Sequence, residues 1–142
     1  MKSAAYTSKH ARAGLNQNLP VIEVFENQYP NYEIKVEISE FTSICPRTGL
    51  PDFGTVVIRY VPDQWVAELK ALKLYVNGYR NMGIFQENTI NRILRDFTAA
   101  VKPVFCEVAG DFAARGGLTT KILARYGKEP SVGVLSLNGK SK

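Results

Sequence analysis

Cys45 is the residue of this chain best suited to nucleophilic chemistry. It lies in the stretch TSICPRTGLPD at residues 42–52, whose prolines and glycine predict a loop. Arg47 follows two residues later, and an exposed loop cysteine near positive charge has a lowered pKa and a reactive thiolate. The alternative is a small buried hydrophobic side chain, and this is the stronger interpretation for Cys106, which falls in an alternating strand pattern.

Two carboxylates could act together with a reactive cysteine. Asp52 follows Pro51 at the start of a predicted strand, where it could be a general acid facing Cys45 or a residue that fixes the turn. Glu87 lies at the start of a predicted helix, where a carboxylate complements the helix dipole. It could instead accept two parallel N–H donors from the edge of a guanine-like ring. Spacing alone leaves both pairs of alternatives open.

A third candidate site is the segment ELKALKLY at residues 68–75, which places Lys70 and Lys73 one helical turn apart. Such a pair is either a solvated helix face or a grip for phosphate groups. The chain contains no glycine-rich phosphate loop and no dinucleotide-binding fingerprint. A dinucleotide would therefore have to bind by another route.

Composition narrows the possible functions. With 142 residues and 45% hydrophobic content, the chain suits one globular domain with a real core. A net charge of +5 favours anionic partners such as phosphates, a dinucleotide or nucleic acid. Two cysteines exclude a disulfide-rich scaffold, and a single histidine, His10, argues against triads and metal clusters built on histidine. Short apolar runs and a polar N-terminus predict a cytoplasmic protein without a membrane span.

The periodicity of apolar residues predicts the order ββααββ. The predicted strands are residues 32–38, 53–61, 104–108 and 118–124, and the predicted helices are about 64–80 and a second one marked by apolar residues from 90 to 101. Two hairpins and a helix pair give an α+β domain, with a four-stranded antiparallel sheet and both helices on one face. We expect a loose N-terminal arm at 1–29, the domain at 30–126 and a mobile tail at 127–142.

The same periodicity predicts which side chains are buried. The first helix is expected to bury Leu69, Leu72, Val76 and Tyr79. The face of the sheet opposite the helices is expected to carry polar residues such as Glu33, Lys35 and Arg59.

Several stretches together resemble the QueF family of nitrile reductases. EFTSICPRTGLPDF at residues 40–53 resembles that family's active-site loop, and ELKALKLY matches its motif at every position. YRN at 79–81, GDF at 110–112 and RGG at 115–117 resemble later family segments in the same order. The resemblance covers residues 30 to 127 and is to the short, single-domain type.

This resemblance implies the tunnelling fold shared with GTP cyclohydrolase I, whose domains associate side by side with active sites between subunits. It implies reduction of 7-cyano-7-deazaguanine to 7-aminomethyl-7-deazaguanine, a step towards the queuosine of tRNA, with NADPH as the source of two hydrides. No metal, no membrane and no direct contact with nucleic acid are implied.

The resemblance also assigns roles to residues of this chain. Cys45 would add to the nitrile as a thiolate to form a thioimide, and Asp52 would deliver protons. Glu87 would bind the amino-pyrimidinone edge of the base, with Gln86 beside it. The cofactor would be held by Glu68, Leu69, Lys70, Lys73 and Arg115. Of these, the lysines and the arginine are candidates for the NADPH phosphates, and Glu68 is expected to position the motif.

Gln86 departs from the family, whose members usually have histidine before the glutamate. Glutamine can hydrogen-bond a ring, but it cannot shuttle a proton near neutral pH.

Three alternatives stay open: an amidine-forming QueF-like enzyme that uses the same thioimide, a basic nucleic-acid-binding module, and an inactive structural subunit. The intact lysine motif argues against the first, dispersed basic residues against the second, and the retained Cys45, Asp52 and Glu87 against the third.

Overall fold

A computed structural model describes residues 6–130, which form a four-stranded antiparallel sheet, a smaller two-stranded sheet and three helices. The elements in chain order are α1 (Ser8–Ala11), β1 (Val24–Glu26), β2 (Ile34–Ile44), β3 (Pro51–Val61), β4 (Trp65–Ala67), α2 (Leu69–Asn77), α3 (Gln86–Val101), β5 (Phe105–Arg115) and β6 (Leu118–Gly127). The large sheet has the order β2-β3-β5-β6, and the predicted ββααββ arrangement is confirmed for it. None of the helices in residues 6–130 has the length and apolarity that a bilayer crossing needs.

The core lies between the large sheet and helices α2 and α3, because each element presents an apolar stripe to the others. Helix α3 buries residues at helical spacing, namely Ile90, Ile93, Phe97 and Val101. The ring of Phe97 packs edge-on against that of Tyr60 from β3, with centroids 4.7 Å apart. This packing fixes the central strands β3 and β5. The candidate site lies at the start of β3 and the end of β5.

The opposite face of the sheet carries charged residues around Arg59, as the strand alternation predicted. Arg59 on β3 pairs with Glu33 at 2.7 Å and with Glu107 of β5 at 3.4 Å. Glu107 also accepts a 2.7 Å bond from Arg125 on β6. Charged pairs therefore link neighbouring strands on the side that the helices leave uncovered.

The predicted helix at 64–80 is wrong at its beginning. Trp65–Ala67 instead form β4, which pairs with β1, and apolar periodicity within one segment cannot reveal such a distant partner. Helix α2 starts only after Glu68, whose carboxylate accepts hydrogen bonds from two amides of the first turn. Leu69 was expected on the buried face, but it stands at the first position of α2 and is 63% exposed.

The strands around the candidate site are longer than the sequence predicted. Strand β2 continues to Ile44 and β3 begins at Pro51, so the predicted loop at 42–52 shortens to six residues, 45–50. Strands β5 and β6 extend to the tight turn that joins them. Cross-strand hydrogen bonds extend the paired strands of each hairpin beyond the residues at which the apolar alternation ends. Of the expected tail, residues 131–142 lie outside the described residues.

The prediction of a loose N-terminal arm is wrong for residues 6–20. Arg92 of α3 donates a hydrogen bond to the carbonyl oxygen of Gly14. Asn88, also on α3, donates to the carbonyl oxygen of Ala11 at 2.7 Å. Side chains that are distant in sequence thus satisfy the polar backbone of the arm and hold it against the start of α3.

Candidate active site

The hairpin of β2 and β3 brings Cys45 and Asp52 close together. Ser43 of β2 is the register partner of Asp52, and the Cys45 amide donates to the carbonyl oxygen of Leu50 at 2.9 Å, which closes the loop. The Asp52 side chain is only 6% exposed, whereas Cys45 is partly exposed. The Asp52 charge acts on the thiol. The hairpin therefore places a carboxylate near the thiol, as general acid–base chemistry at Cys45 requires.

Arg115 approaches Cys45 and Asp52 from the end of β5, and the three residues form one corner of the candidate site. Its Nη1 donates to Oδ1 of Asp52 at 2.7 Å, and its Nη2 donates to Oγ1 of Thr48 at 3.3 Å. The register of the β5–β6 hairpin shifts between Phe112 and Arg115, just before its turn. The hydrogen bond to Asp52 raises the pKa of Arg115, and the charge of Cys45 contributes to this rise.

The two cysteines of the chain differ in reactivity. Burial is the largest influence on the pKa of Cys45 and raises it, but hydrogen bonds from the Thr48 side chain and from the amides of Thr48 and Arg47 outweigh burial and leave the pKa lowered. Cys106 is fully buried on β5, and burial raises its pKa to about 12. Only the loop cysteine therefore has the properties of a nucleophile.

Gln86 and Glu87 begin helix α3 beside the Cys45 loop. The amide of Ile44 donates to the carbonyl oxygen of Met82, and the amide of Ile84 donates to that of Ile44, each at 2.9 Å. These bonds hold the segment before α3 alongside the end of β2. Glu87 is exposed in the first turn, and its carboxylate accepts no hydrogen bond from residues 6–130. It is therefore available for the N–H groups of a ligand.

Tyr6 contacts both the Cys45 loop and the segment that precedes helix α3. Its ring centroid lies 6.2 Å from that of Phe85, which precedes α3, and 5.9 Å from the guanidinium carbon of Arg47 in the Cys45 loop. The imidazole of His10 stacks on Tyr6 at 5.9 Å. No local pattern in the sequence predicts this contact, because it depends on the path of the arm across α3.

The lysine motif lies on helix α2, on a different surface from Cys45 and Arg115. Lys70 and Lys73 are both exposed, and Lys73 and Leu69 line a groove of about 290 Å³ between α2 and β2. Glu68 caps the helix, with its carboxylate 2.9 Å from the Lys70 amide nitrogen and 2.8 Å from that of Ala71. These hydrogen bonds lower the pKa of Glu68. The described structure thus places Arg115 with Cys45 and Asp52, and the two lysines elsewhere.

A larger polar groove of about 810 Å³ adjoins the lysine groove. The two share Ser39, Glu40 and Asn77, and the larger groove continues to Thr42 and Phe53. Thr42 donates a 2.8 Å hydrogen bond to the Asp52 carbonyl oxygen. A continuous concave surface therefore leads from the lysine motif towards the strand that carries Asp52.

Comparison with known proteins identifies close relatives over most of the chain. The family model described as QueF-like protein matches residues 51–131. A protein of Elusimicrobium minutum named NADPH-dependent 7-cyano-7-deazaguanine reductase is 54% identical, over 87% of this chain and 95% of its own length. A protein of Chloroherpeton thalassium with the same name is 50% identical, over 77% of this chain and 96% of its own length.

A solved structure shares the fold at lower sequence identity. It is that of the archaeosine synthase QueF-Like in the apo form, which aligns with a TM-score of 0.66 and 24% identity. The match covers 72% of this chain and all of that one. This likeness confirms the α+β tunnelling fold that the sequence predicted.

Proposed function

This chain belongs to the QueF family, and we propose that it reduces the nitrile of 7-cyano-7-deazaguanine to the primary amine with NADPH. The observation that carries the proposal is the corner formed by Cys45, Asp52 and Arg115, where a partly exposed thiol of lowered pKa meets a buried carboxylate. A nitrile is a poor hydride acceptor, and addition of a thiolate converts it to a more reactive thioimide. Relatives at 54% and 50% identity carry this activity in their names.

The first half-reaction needs only residues of this corner. The Cys45 thiol gives its proton to Asp52, and the sulfur forms a bond to the nitrile carbon while a π pair of the triple bond moves to nitrogen. Asp52 then gives the proton to that nitrogen. One proton has moved from sulfur to nitrogen, and Asp52 has returned to its starting state. Later protons for the reduced intermediate pass through the same carboxylate.

Glu87 is the proposed anchor for the base. Its exposed carboxylate can accept two parallel N–H bonds from an amino-pyrimidinone edge, which is the geometry that a carboxylate prefers. Gln86 stands beside it at the first position of α3, and its amide can donate or accept. Together these residues orient the ring so that the nitrile faces Cys45.

The residues of helix α2 fit the phosphates of NADPH. Lys70 and Lys73 are exposed cations one turn apart, next to the groove that leads towards Asp52. Leu69 offers exposed apolar surface at the start of the helix. When bound, NADPH supplies a hydride for each of the two reductions.

Glu68 and Arg115 have other partners in the described structure. The Glu68 carboxylate caps helix α2, so we assign it to positioning the lysine motif. The assignment of Arg115 to the NADPH phosphates stays a prediction, because its guanidinium is engaged by Asp52 and Thr48.

Self-association is part of the proposal. Strands β2 and β6 are the two edges of the large sheet and have one partner strand each within residues 6–130. An edge strand can extend a sheet by pairing with another copy of the chain. We infer that copies associate side by side in the cytoplasm, with active sites between subunits and the free base as substrate.

The test is NADPH oxidation by the purified protein with 7-cyano-7-deazaguanine, followed by the loss of NADPH absorbance and by the mass of the product. Reactions with NADH and without nitrile are the controls. We expect oxidation that depends on the nitrile and prefers NADPH, and a product carrying the aminomethyl group. Protein that forms the thioimide but oxidises no NADPH, and yields an amidine when ammonium is added, would instead support the amidine-forming alternative.

A further inference from the structure

We propose that Thr48 and Arg115 are positioning residues that stabilise the thiolate of Cys45 before any cofactor binds. The proposal rests on the proposed reaction of Cys45 with a nitrile. It is carried by the geometry of this corner, where one guanidinium donates to Asp52 at 2.7 Å and to Thr48 at 3.3 Å, and Thr48 lies in the same six-residue loop as Cys45.

The hydrogen bonds of Thr48 determine where its hydroxyl proton points. Its Oγ1 accepts from the Leu50 amide at 3.2 Å and from Nη2 of Arg115 at 3.3 Å. A hydroxyl has two acceptor lone pairs and one proton. Because both lone pairs are occupied, the proton is left for the third neighbour, the sulfur of Cys45, to which the Thr48 side chain hydrogen-bonds. Thr48 thus acts as a donor to the thiolate.

The guanidinium of Arg115 fixes both neighbours of the thiol at once. Nη1 binds the Asp52 carboxylate, Nη2 binds Thr48, and the group also hydrogen-bonds Cys45. A planar fork with fixed donor directions can align two acceptors in one arrangement, which a lysine ammonium cannot do as well. Arg115 therefore orients the hydroxyl donor and holds the carboxylate that accepts the thiol proton.

The charges around Cys45 explain why this arrangement is needed. Two charged side chains act on the sulfur, Asp52 from β3 and Arg115 from β5. Arg47 contributes its backbone amide, and its guanidinium lies over the ring of Tyr6. The negative charge of Asp52 opposes formation of a thiolate. Pairing of Asp52 with Arg115 offsets that repulsion, so both the nucleophile and its proton acceptor can coexist within one small corner.

The experiment measures the pH dependence of Cys45 alkylation by iodoacetamide, followed by intact mass, without substrate or cofactor. Cys106 is fully buried and stays unlabelled. We expect Thr48→Val and Arg115→Met each to raise the midpoint of the alkylation profile by about one pH unit or more, as loss of a hydrogen bond to a charged group does. Thr48→Ser keeps the hydroxyl and should restore the wild-type midpoint.

Arg125→Met is the matched control. Arg125 is on the same hairpin as Arg115, but its partner is Glu107 on the other face of the sheet. Its removal changes the net charge equally and should leave the midpoint unchanged. If the midpoint stayed at the wild-type value in folded Thr48→Val and Arg115→Met proteins, or moved equally in Arg125→Met, the proposal would be overturned.

A second measurement separates this role from one in cofactor binding. The rate of thioimide formation is followed by intact mass with 7-cyano-7-deazaguanine and no NADPH. We expect Arg115→Met to slow it at least tenfold, whereas a residue that only binds NADPH phosphates would leave it unchanged and raise the KM for NADPH. Alkylation needs no nitrile, so the two proposals can fail separately. If the variants show the alkylation shifts while the wild-type protein forms no thioimide, the proposed function is disproved and this inference stands.

Discussion

The guanidinium of Arg115 donates a 2.7 Å hydrogen bond to the carboxylate of Asp52, although the two residues are 63 positions apart in the sequence. The contact forms because β3 and β5 are neighbours in the sheet and the β5–β6 turn directs Arg115 back over the Cys45 loop. Arg115 is thereby in direct contact with the carboxylate for which we propose proton transfer. This changes how several substitutions in the corner should behave.

Replacement of Cys45 by alanine should abolish both the covalent adduct and NADPH oxidation, since no other described thiol is accessible. Intact mass after incubation with 7-cyano-7-deazaguanine measures the adduct. Cys106→Ala is the control and should retain it, because Cys106 lies in the core. An adduct in the Cys45→Ala protein would show that the nucleophile has been assigned wrongly.

Asp52→Asn should slow NADPH oxidation by roughly 10²- to 10⁴-fold, the range typical of a lost general acid, while substrate still binds. Steady-state kinetics measure the loss, and calorimetry measures binding of the base. Asp63→Asn is a suitable control, because Asp63 is exposed and follows the end of β3 that is remote from Asp52. Near-normal turnover of Asp52→Asn would make this residue a structural element of the turn.

The double substitution Lys70→Ala/Lys73→Ala should raise the KM for NADPH and leave thioimide formation unchanged, because the proposed addition of Cys45 to the nitrile needs no cofactor. Lys121→Ala/Lys128→Ala removes the same charge from strand β6 and the residue after it, and serves as the control. Loss of the adduct in the motif variant would place the two lysines in folding or assembly instead.

Gln86→His should match or raise turnover, because an imidazole adds a group that exchanges protons near neutral pH. The measurement is kcat as a function of pH, with the gain expected on the side where the imidazole is protonated. Gln86→Leu is the comparison that removes all hydrogen bonding. A sharp fall in Gln86→His would indicate that the pocket is built around the shape of glutamine.

Arg92→Leu should lower the free energy of unfolding by about 2–4 kcal/mol, because it leaves buried acceptors without a donor. Arg92 is 7% exposed and binds Asp96 as well as the carbonyl oxygen of Gly14. Urea denaturation followed by circular dichroism measures the change. Arg95→Leu, whose side chain is 54% exposed, should cost under about 1 kcal/mol. Equal losses in the two variants would contradict a specific role of Arg92 in holding the arm.

Part of the site could be predicted because it is continuous in sequence. Cys45 and Asp52 flank one short loop, and a hairpin must bring the ends of its strands together. The polar face around Arg59 followed from simple alternation. The role proposed for Thr48 could not be predicted, because it depends on a hydrogen bond from Arg115, which reaches Thr48 from another strand.

Other predictions from the sequence were wrong for the same reason, because contacts between distant segments decide the structure there. The start of α2 was misplaced because Trp65–Ala67 pair with a strand far away in sequence, and the arm was expected to be loose because its anchors are side chains of α3. Leu69 fits the apolar spacing of its helix, yet its position in the first turn leaves it exposed.

The sequence by itself determined the α+β class, the order of strands and helices in the large sheet, and the loop that carries the nucleophile. These features arise from interactions among residues close along the chain, whose periodicity is visible in the sequence. The tertiary structure decided the partner of Asp52, the hydrogen bond from Arg115 to Thr48, the separation of Arg115 from the lysine motif and the placement of Tyr6. Each of these depends on strand register and helix packing between distant segments, which no local pattern encodes.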